Sequence, residues 1–218
     1  MKNNKTYYQL LLDRSGSMSS CIEQTVDGVN QQILRIKEIA GRFPEQELYT
    51  SLTLFNHKIS SSWDRINPEK LRELTFTDYA PEGRTALFDA IGLTINYLKQ
   101  SIGEEIEQNE ASIVFVIVTD GYENASSDFS HKQVASMIHE LEETGKWAFS
   151  YIGATLDAVE IAQTLNIKKS NAIRFDSLQS EQMFNKVNNS LGSYLLNKNS
   201  GKIKTDFLED YDCKGHGL

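Results

Sequence analysis

Apolar and polar residues along this 218-residue chain follow two rhythms. Short unbroken apolar runs read as buried strands, and stripes recurring every three or four residues read as helices laid over them. The first run, residues 6–12, stops abruptly at Asp13. Ile22, Val26, Val29, Ile33 and Ile36 then recur at helical steps, which predicts a helix ending near Gly41 with Pro44 beyond it as a stop. Residues 48–55 form a second strand. Asn56 and His57 turn the chain, and residues 58–63 return as a polar, antiparallel edge strand. Residues 67–81, broken by Pro68 and Pro81, read as irregular.

The second half repeats the alternation. Leu87, Ile91, Ile95, Leu98 and Ile102 mark a helix ended by Gly103, with residues 104–109 as an acidic surface connection. Residues 112–119 are the most apolar stretch and are expected at the centre of a parallel sheet, where burying each Val, Ile or Phe contributes roughly 1.5–3 kcal/mol. Ser130 and Gln133 have capping-box spacing and open a helix through Val134, Met137, Ile138 and Leu141, closing at Gly145. A strand over 147–152, a short helix over 158–165 and a strand over 172–175 follow. A last helix over 180–196 carries Phe184, Val187, Leu191 and Tyr194. Periodicity is lost from Lys198, so the expected organisation is one domain over 1–197 and a mobile tail over 198–218. The fold class is α/β: a doubly wound, Rossmann-like, mostly parallel sheet with one antiparallel edge strand and helices on both faces.

Composition narrows the function classes. Hydrophobic residues at 39% and charged residues at 24% describe a globular chain, and a net charge of -8 argues against nucleic acid and anionic membranes as partners. The longest apolar run after the first strand, 113–118, is far short of the ~20 residues that cross a bilayer. Asp13 interrupts the first run before a secretion signal develops, and the expected location is cytoplasmic. Cys21 and Cys213 are too few for a disulfide framework and are expected as reduced thiols, Cys21 in a packing role near a helix start that can lower a thiol pKa. His57, His131, His139 and His216 show no ligand spacing.

Candidate chemistry gathers where the first apolar run ends. Asp13, Ser15 and Ser17 are two residues apart, so in an extended segment leaving a strand their side chains turn to one side, and Gly16 allows a tight bend between the serines. A carboxylate with two hydroxyls is a hard oxygen set that suits Mg2+ or Mn2+ better than zinc. Doubly wound sheets bind ligands outside the carboxyl ends of their strands, and a second loop there carries Asp120. Thr85, in a Gly-rich turn before the second helix, can bring a third hydroxyl. The helix that begins after Met18 turns its partly positive end toward this region.

Three segments occur in order: Asp13-Arg14-Ser15-Gly16-Ser17-Met18, Gly83-Arg84-Thr85-Ala86-Leu87-Phe88-Asp89-Ala90-Ile91 and Val118-Thr119-Asp120-Gly121-Tyr122-Glu123-Asn124. Together they resemble the von Willebrand factor type A (VWA) domain, in particular a compact, stand-alone bacterial and phage form, over residues 6–196. In that family the first segment is the DxSxS element of the metal-ion-dependent adhesion site (MIDAS). The resemblance implies Asp13, Ser15, Ser17, Thr85 and Asp120 as the metal set. Ser15 and Ser17 would ligate directly, Thr85 and Asp120 would exchange direct and water-mediated roles, and Asp13 would act mostly through water. It also implies a divalent-cation-dependent protein-binding module, with Mg2+ (or Mn2+) completed by an Asp or Glu of a partner protein. Arg84, Tyr122, Glu123 and Asn124 would form a rim toward that partner. Arg84 departs from the family pattern, where a small or polar residue often precedes the threonine. Asp89 reads as a buried polar anchor or an outer acceptor. Related adhesion domains couple the metal shell to movement of the last helix, here 180–196.

The alternative is a Mg2+-dependent hydrolase or phosphotransferase using the same residues. A phosphotransferase of this kind wants an acid two residues after Asp13, where Ser15 stands; no Gly-x-Ser-x-Gly surrounds either serine, and no Gly-x-Gly-x-x-Gly follows the first strand. A non-enzymatic protein is therefore expected.

Overall fold

Every residue of the strand Ala111–Thr119 is buried, as an uninterrupted apolar run between two helical layers requires. The computed structural model describes residues 3–174, 180–202 and 205–208. Its strands are β1 (Lys5–Asp13), β2 (Glu47–Phe55), β3 (Ile59–Ile66), β4 (Ala111–Thr119), β5 (Trp147–Gly153) and β6 (Ala172–Arg174). They form a single sheet in the order β3-β2-β1-β4-β5-β6, parallel throughout except for β3, which returns antiparallel beside β2. The helices are α1 (Ile22–Arg42), α2 (Leu87–Glu107), α3 (His131–Glu143), α4 (Ala158–Thr164) and α5 (Ser180–Asn199). No helix of the described residues is long and apolar enough to cross a membrane.

The two-residue period of the strands divides the core into two layers. Leu10, Leu12, Val114, Val116 and Val118 face α1 and α5 on one side, whereas Leu11, Ile113, Phe115 and Ile117 face α2, α3 and α4 on the other. β1 and β4 are adjacent and their connections leave toward opposite faces, which places the loops after Asp13 and after Thr119 side by side at the carboxyl edge.

Several boundaries differ from the sequence reading. Gly103 does not end α2, because Ile106 continues the apolar stripe one turn further and is buried. Residues 104–107 are thus helix rather than surface connection, and Glu105 pairs with Lys5 at 3.0 Å. By contrast, α1 ends at Arg42, beside Gly41 as expected. Phe175, given to the last strand, lies outside the described residues. The boundary at Lys198 falls inside α5, and beyond it Phe207 and Leu208 are buried, with the Leu208 N–H donating to Asn171 Oδ1. Residues 209–218, with Cys213 and His216, lie outside the described residues. Cys21 is buried in the α1 layer, and burial pushes its thiol up rather than activating it.

Candidate metal centre

Asp13 is the last residue of β1 and is wholly buried. Its Oδ1 accepts the Ser15 N–H at 2.6 Å, an Asx-type turn that starts the loop, and its Oδ2 accepts the Thr119 hydroxyl at 2.6 Å. The Tyr79 hydroxyl, also buried, donates to the Asp13 carbonyl at 2.7 Å. Burial pushes the Asp13 carboxyl up to about 6, against the pull of the Thr119 and Ser15 bonds, with nearby Asp120 adding to the rise. Asp120 is raised as well, chiefly by burial.

After Asp13 the chain enters a 3-10 turn, Gly16–Cys21, that runs directly into α1. This turn presents the serines. Ser15 Oγ and Ser17 Oγ are 3.1 Å apart, and Ser17 Oγ donates to Asp120 Oδ1 at 2.6 Å. A methyl group at Gly121 would stand 3.2 Å from Ser17 Oγ, 3.3 Å from Thr85 Oγ1 and 3.9 Å from Ser15 Oγ. Three hydroxyls from two loops therefore surround one point beside the third loop. Glycine is needed there because any side chain would fill that space.

The Thr85 loop is tied down from both ends. Asn56, fully buried, gives its Nδ2 to the Glu82 carbonyl at 2.9 Å and receives the Lys58 N–H on Oδ1, while its own carbonyl accepts the Ala86 N–H. Gly83 adopts φ +72°, and a side chain there would also collide with His57 Nδ1 at 2.3 Å. Its carbonyl accepts the Gly16 N–H at 3.0 Å, linking the Thr85 loop to the serine loop.

No protein-family model and no curated protein matches the sequence. Solved structures match by shape. Proximal thread matrix protein 1 from the mussel byssus, in a form described as having a zinc-occupied MIDAS motif, superposes with a TM-score of 0.56 at 14% identity, over 86% of this chain and 46% of that one. A von Willebrand factor type A protein from Catenulispora acidiphila gives 0.54 at 9% identity, over 88% and 43%. The ArnB paralog VWA2 from Sulfolobus acidocaldarius gives 0.53 at 17% identity, over 86% and 45%. The chain has the von Willebrand factor type A fold. It spans a little under half the length of each of these three proteins.

Within this VWA fold the five residues expected to form the metal set lie at the same edge of the sheet, on three loops. The expected rim behaves less uniformly. Arg84 and Tyr122 are exposed, and the Tyr122 hydroxyl donates to Asp157 Oδ1 at 2.9 Å. Glu123, by contrast, is turned inward: its carboxylate accepts the N–H groups of Phe88, Ala125 and Ser126 and the Ser126 hydroxyl, fastening its own loop to the start of α2. Asn124 exchanges bonds with Thr85, its Oδ1 accepting the Thr85 N–H and its N–H donating to the Thr85 carbonyl, both at 3.0 Å. Asp89 is the buried anchor among the two roles expected, accepting the N–H groups of Ser127, Asp128 and Phe129.

Thr119, Tyr79 and Asn56 hold the site together and were not among the expected site residues. Thr119 had the strongest trace, as the residue before Asp120 at a strand end. Tyr79 sits in a segment without periodicity, and Asn56 reads as a simple turn residue.

Proposed function

We propose that this protein is a divalent-cation-dependent protein-binding module in which Asp13, Ser15, Ser17, Thr85 and Asp120 hold Mg2+ (or Mn2+) and an Asp or Glu of a partner protein completes the shell. The convergence of the three hydroxyls beside Gly121 carries this reading. The Ser15–Ser17 separation of 3.1 Å is close to the ~2.9 Å between neighbouring ligands of an octahedral ion bound at 2.0–2.1 Å. Ser17 gives its proton to Asp120 and accepts that of Ser15, which leaves it one lone pair to face a cation. A donor set made only of oxygen favours a hard ion, while the zinc-occupied MIDAS of the byssus protein supports a divalent ion in a site of this kind.

The charge balance explains recruitment. Both oxygens of Asp13 are already engaged by protein donors, so it orients the serine loop and polarises the ion from a distance. Three neutral hydroxyls and Asp120 leave a dication under-neutralised, and an incoming carboxylate makes up the difference. Binding is favoured over catalysis because the serine hydroxyls are bonded to each other and to Asp120, with no histidine among their described partners to draw off a proton. A cytoplasmic setting belongs to the same proposal.

Calorimetric titration of Mg2+ into the protein tests it. Saturable heat is expected for the wild type and none for Asp13→Ala, with both variants equally helical by circular dichroism. A wild type that takes up neither Mg2+ nor Mn2+ would sink the reading.

A further inference from the structure

Beside the serine loop lies a cleft of about 440 Å³ lined by Ser19, Ser20, Ile22, Glu23, Gln24 and Phe76. Phe76 is 56% exposed, which is unusual for a phenyl ring. Its position is nevertheless fixed. Leu74, two residues earlier, exchanges backbone bonds with the Asn30 side chain on α1 at 2.8 and 3.0 Å. Thr75 and Asp78 close a turn around it, with the Thr75 N–H and hydroxyl on Asp78 Oδ2 and the Tyr79 N–H on the Thr75 carbonyl. An aromatic face is thus held out toward solvent by a rigid turn. The same cleft is lined by the exposed Glu23, which is in no salt bridge among the described residues.

We infer that this cleft is a second contact point for the same partner and receives a lysine or arginine side chain. The inference rests on the binding reading above and names the partner's chemistry more closely. An aliphatic stem fits along Ile22 and the Phe76 ring, the cation meets the ring face, and its N–H groups reach Glu23 and the serine hydroxyls. A carboxylate would be repelled by Glu23, whose charge outweighs the partly positive end of α1 on which it sits. Spacing follows from the chain path. Ser19 and Glu23 are two and six residues past Ser17, so at ~2 Å per residue in the 3-10 turn and ~1.5 Å in α1 the cleft spans roughly 4–11 Å from the metal residues. An extended partner rises ~3.3 Å per residue, which places its basic residue about one to three positions from its acidic one, and about three where the cation reaches Glu23.

Three capped peptides test this with the full chain in Mg2+: Gly-Asp-Gly-Gly-Arg-Gly, the same with neutral citrulline for Arg, and the same with Ala for Asp. The Arg peptide is expected to bind at least fivefold tighter than the citrulline peptide. Glu23→Gln should erase that ratio and Phe76→Ala reduce it, while the citrulline peptide binds both variants as it binds wild type. Equal affinity for the Arg and citrulline peptides, or a preference that survives Glu23→Gln, overturns the inference and leaves the metal reading standing. Indifference to Asp→Ala or to EDTA overturns the metal reading instead. The cleft is then read by itself: NMR titration with arginine amide against citrulline amide in EDTA must shift Ser19–Gln24 and Phe76 for the charged ligand only, and equal shifts refute it.

Discussion

A fully buried carboxylate is costly unless donors surround it, and Asp13 shows how few are used here. The Ser15 N–H and the Thr119 hydroxyl each take one oxygen, yet burial still holds the group up at about 6. The folded pKa lies above the unfolded 3.8, so Asp13 opposes folding as pH rises through that interval, and stability gains as pH falls through 6. Thr119→Val removes a donor with little change of shape. It should lower stability by about 1–3 kcal/mol at pH 8, where Asp13 is ionised, and by less at pH 5, where it is protonated. Urea unfolding at the two pH values checks this; an equal loss at both would mean that the hydroxyl does not serve the charge. Gly121→Ala acts on the candidate ligands instead. A methyl 3.2–3.3 Å from Ser17 Oγ and Thr85 Oγ1 should weaken Mg2+ by at least tenfold in calorimetry while the fold stands.

Among the elements, α5 is the least comfortable. Its Lys198 is only 4% exposed at the end of the sheet opposite the candidate metal centre. The amine donates to the Lys5 carbonyl, to Thr6 Oγ1 at 2.8 Å and to Ser112 Oγ at 2.7 Å, with no carboxylate among these partners. Burial lowers it to about 7 from 10.5. The unfolded chain holds that proton up to about 10.5 and the folded chain releases it near 7, so unfolding takes up a proton in this window and stability rises with pH across it. Lys198→Met should therefore be more stable than wild type at pH 7, by up to a few kcal/mol, with the gain shrinking toward pH 10. Thermal melts across that range decide it, and a constant difference would show that the lysine is ordinary. The same helix carries Asn188, whose amide N and O are both buried without a hydrogen-bond partner among the described residues. These polar groups on its inner face mark α5 as an element whose packing was not optimised for stability alone.

For the molecule as a whole, the proposed function would make cation binding and folding one equilibrium, because the five candidate ligands come from three loops that only the folded sheet brings together. Mg2+ at a hundred times its dissociation constant should add about 2.7 kcal/mol, which for a domain of about 200 residues is a rise of roughly 5–10 °C in Tm. Scanning calorimetry with Mg2+ against EDTA measures it, and Asp13→Ala should melt at one temperature in both. The charge of -8 argues in the same direction, since a cation relieves part of the acidic surface's self-repulsion.

Period-two and period-3.6 patterns are local properties of the chain, so the strands, the helices and their alternation were readable directly, and with them the sheet class. The Asp13-Ser15-Ser17 spacing was equally local. What failed was whatever depends on a distant neighbour. Whether Gly103 ends a helix was decided by the core that receives Ile106, and whether Lys198 begins a tail was decided by the carbonyl and hydroxyls waiting on β1 and β4. Glu123 looked like a surface acid until four donors from its own loop and α2 were seen to converge on it. Sequence thus determined which residues are candidate oxygen ligands and which segments are strands or helices. Only the tertiary structure decided which of those oxygens meet and which are consumed in holding the loops, because hydrogen bonds between segments a hundred residues apart leave no periodic trace along the chain.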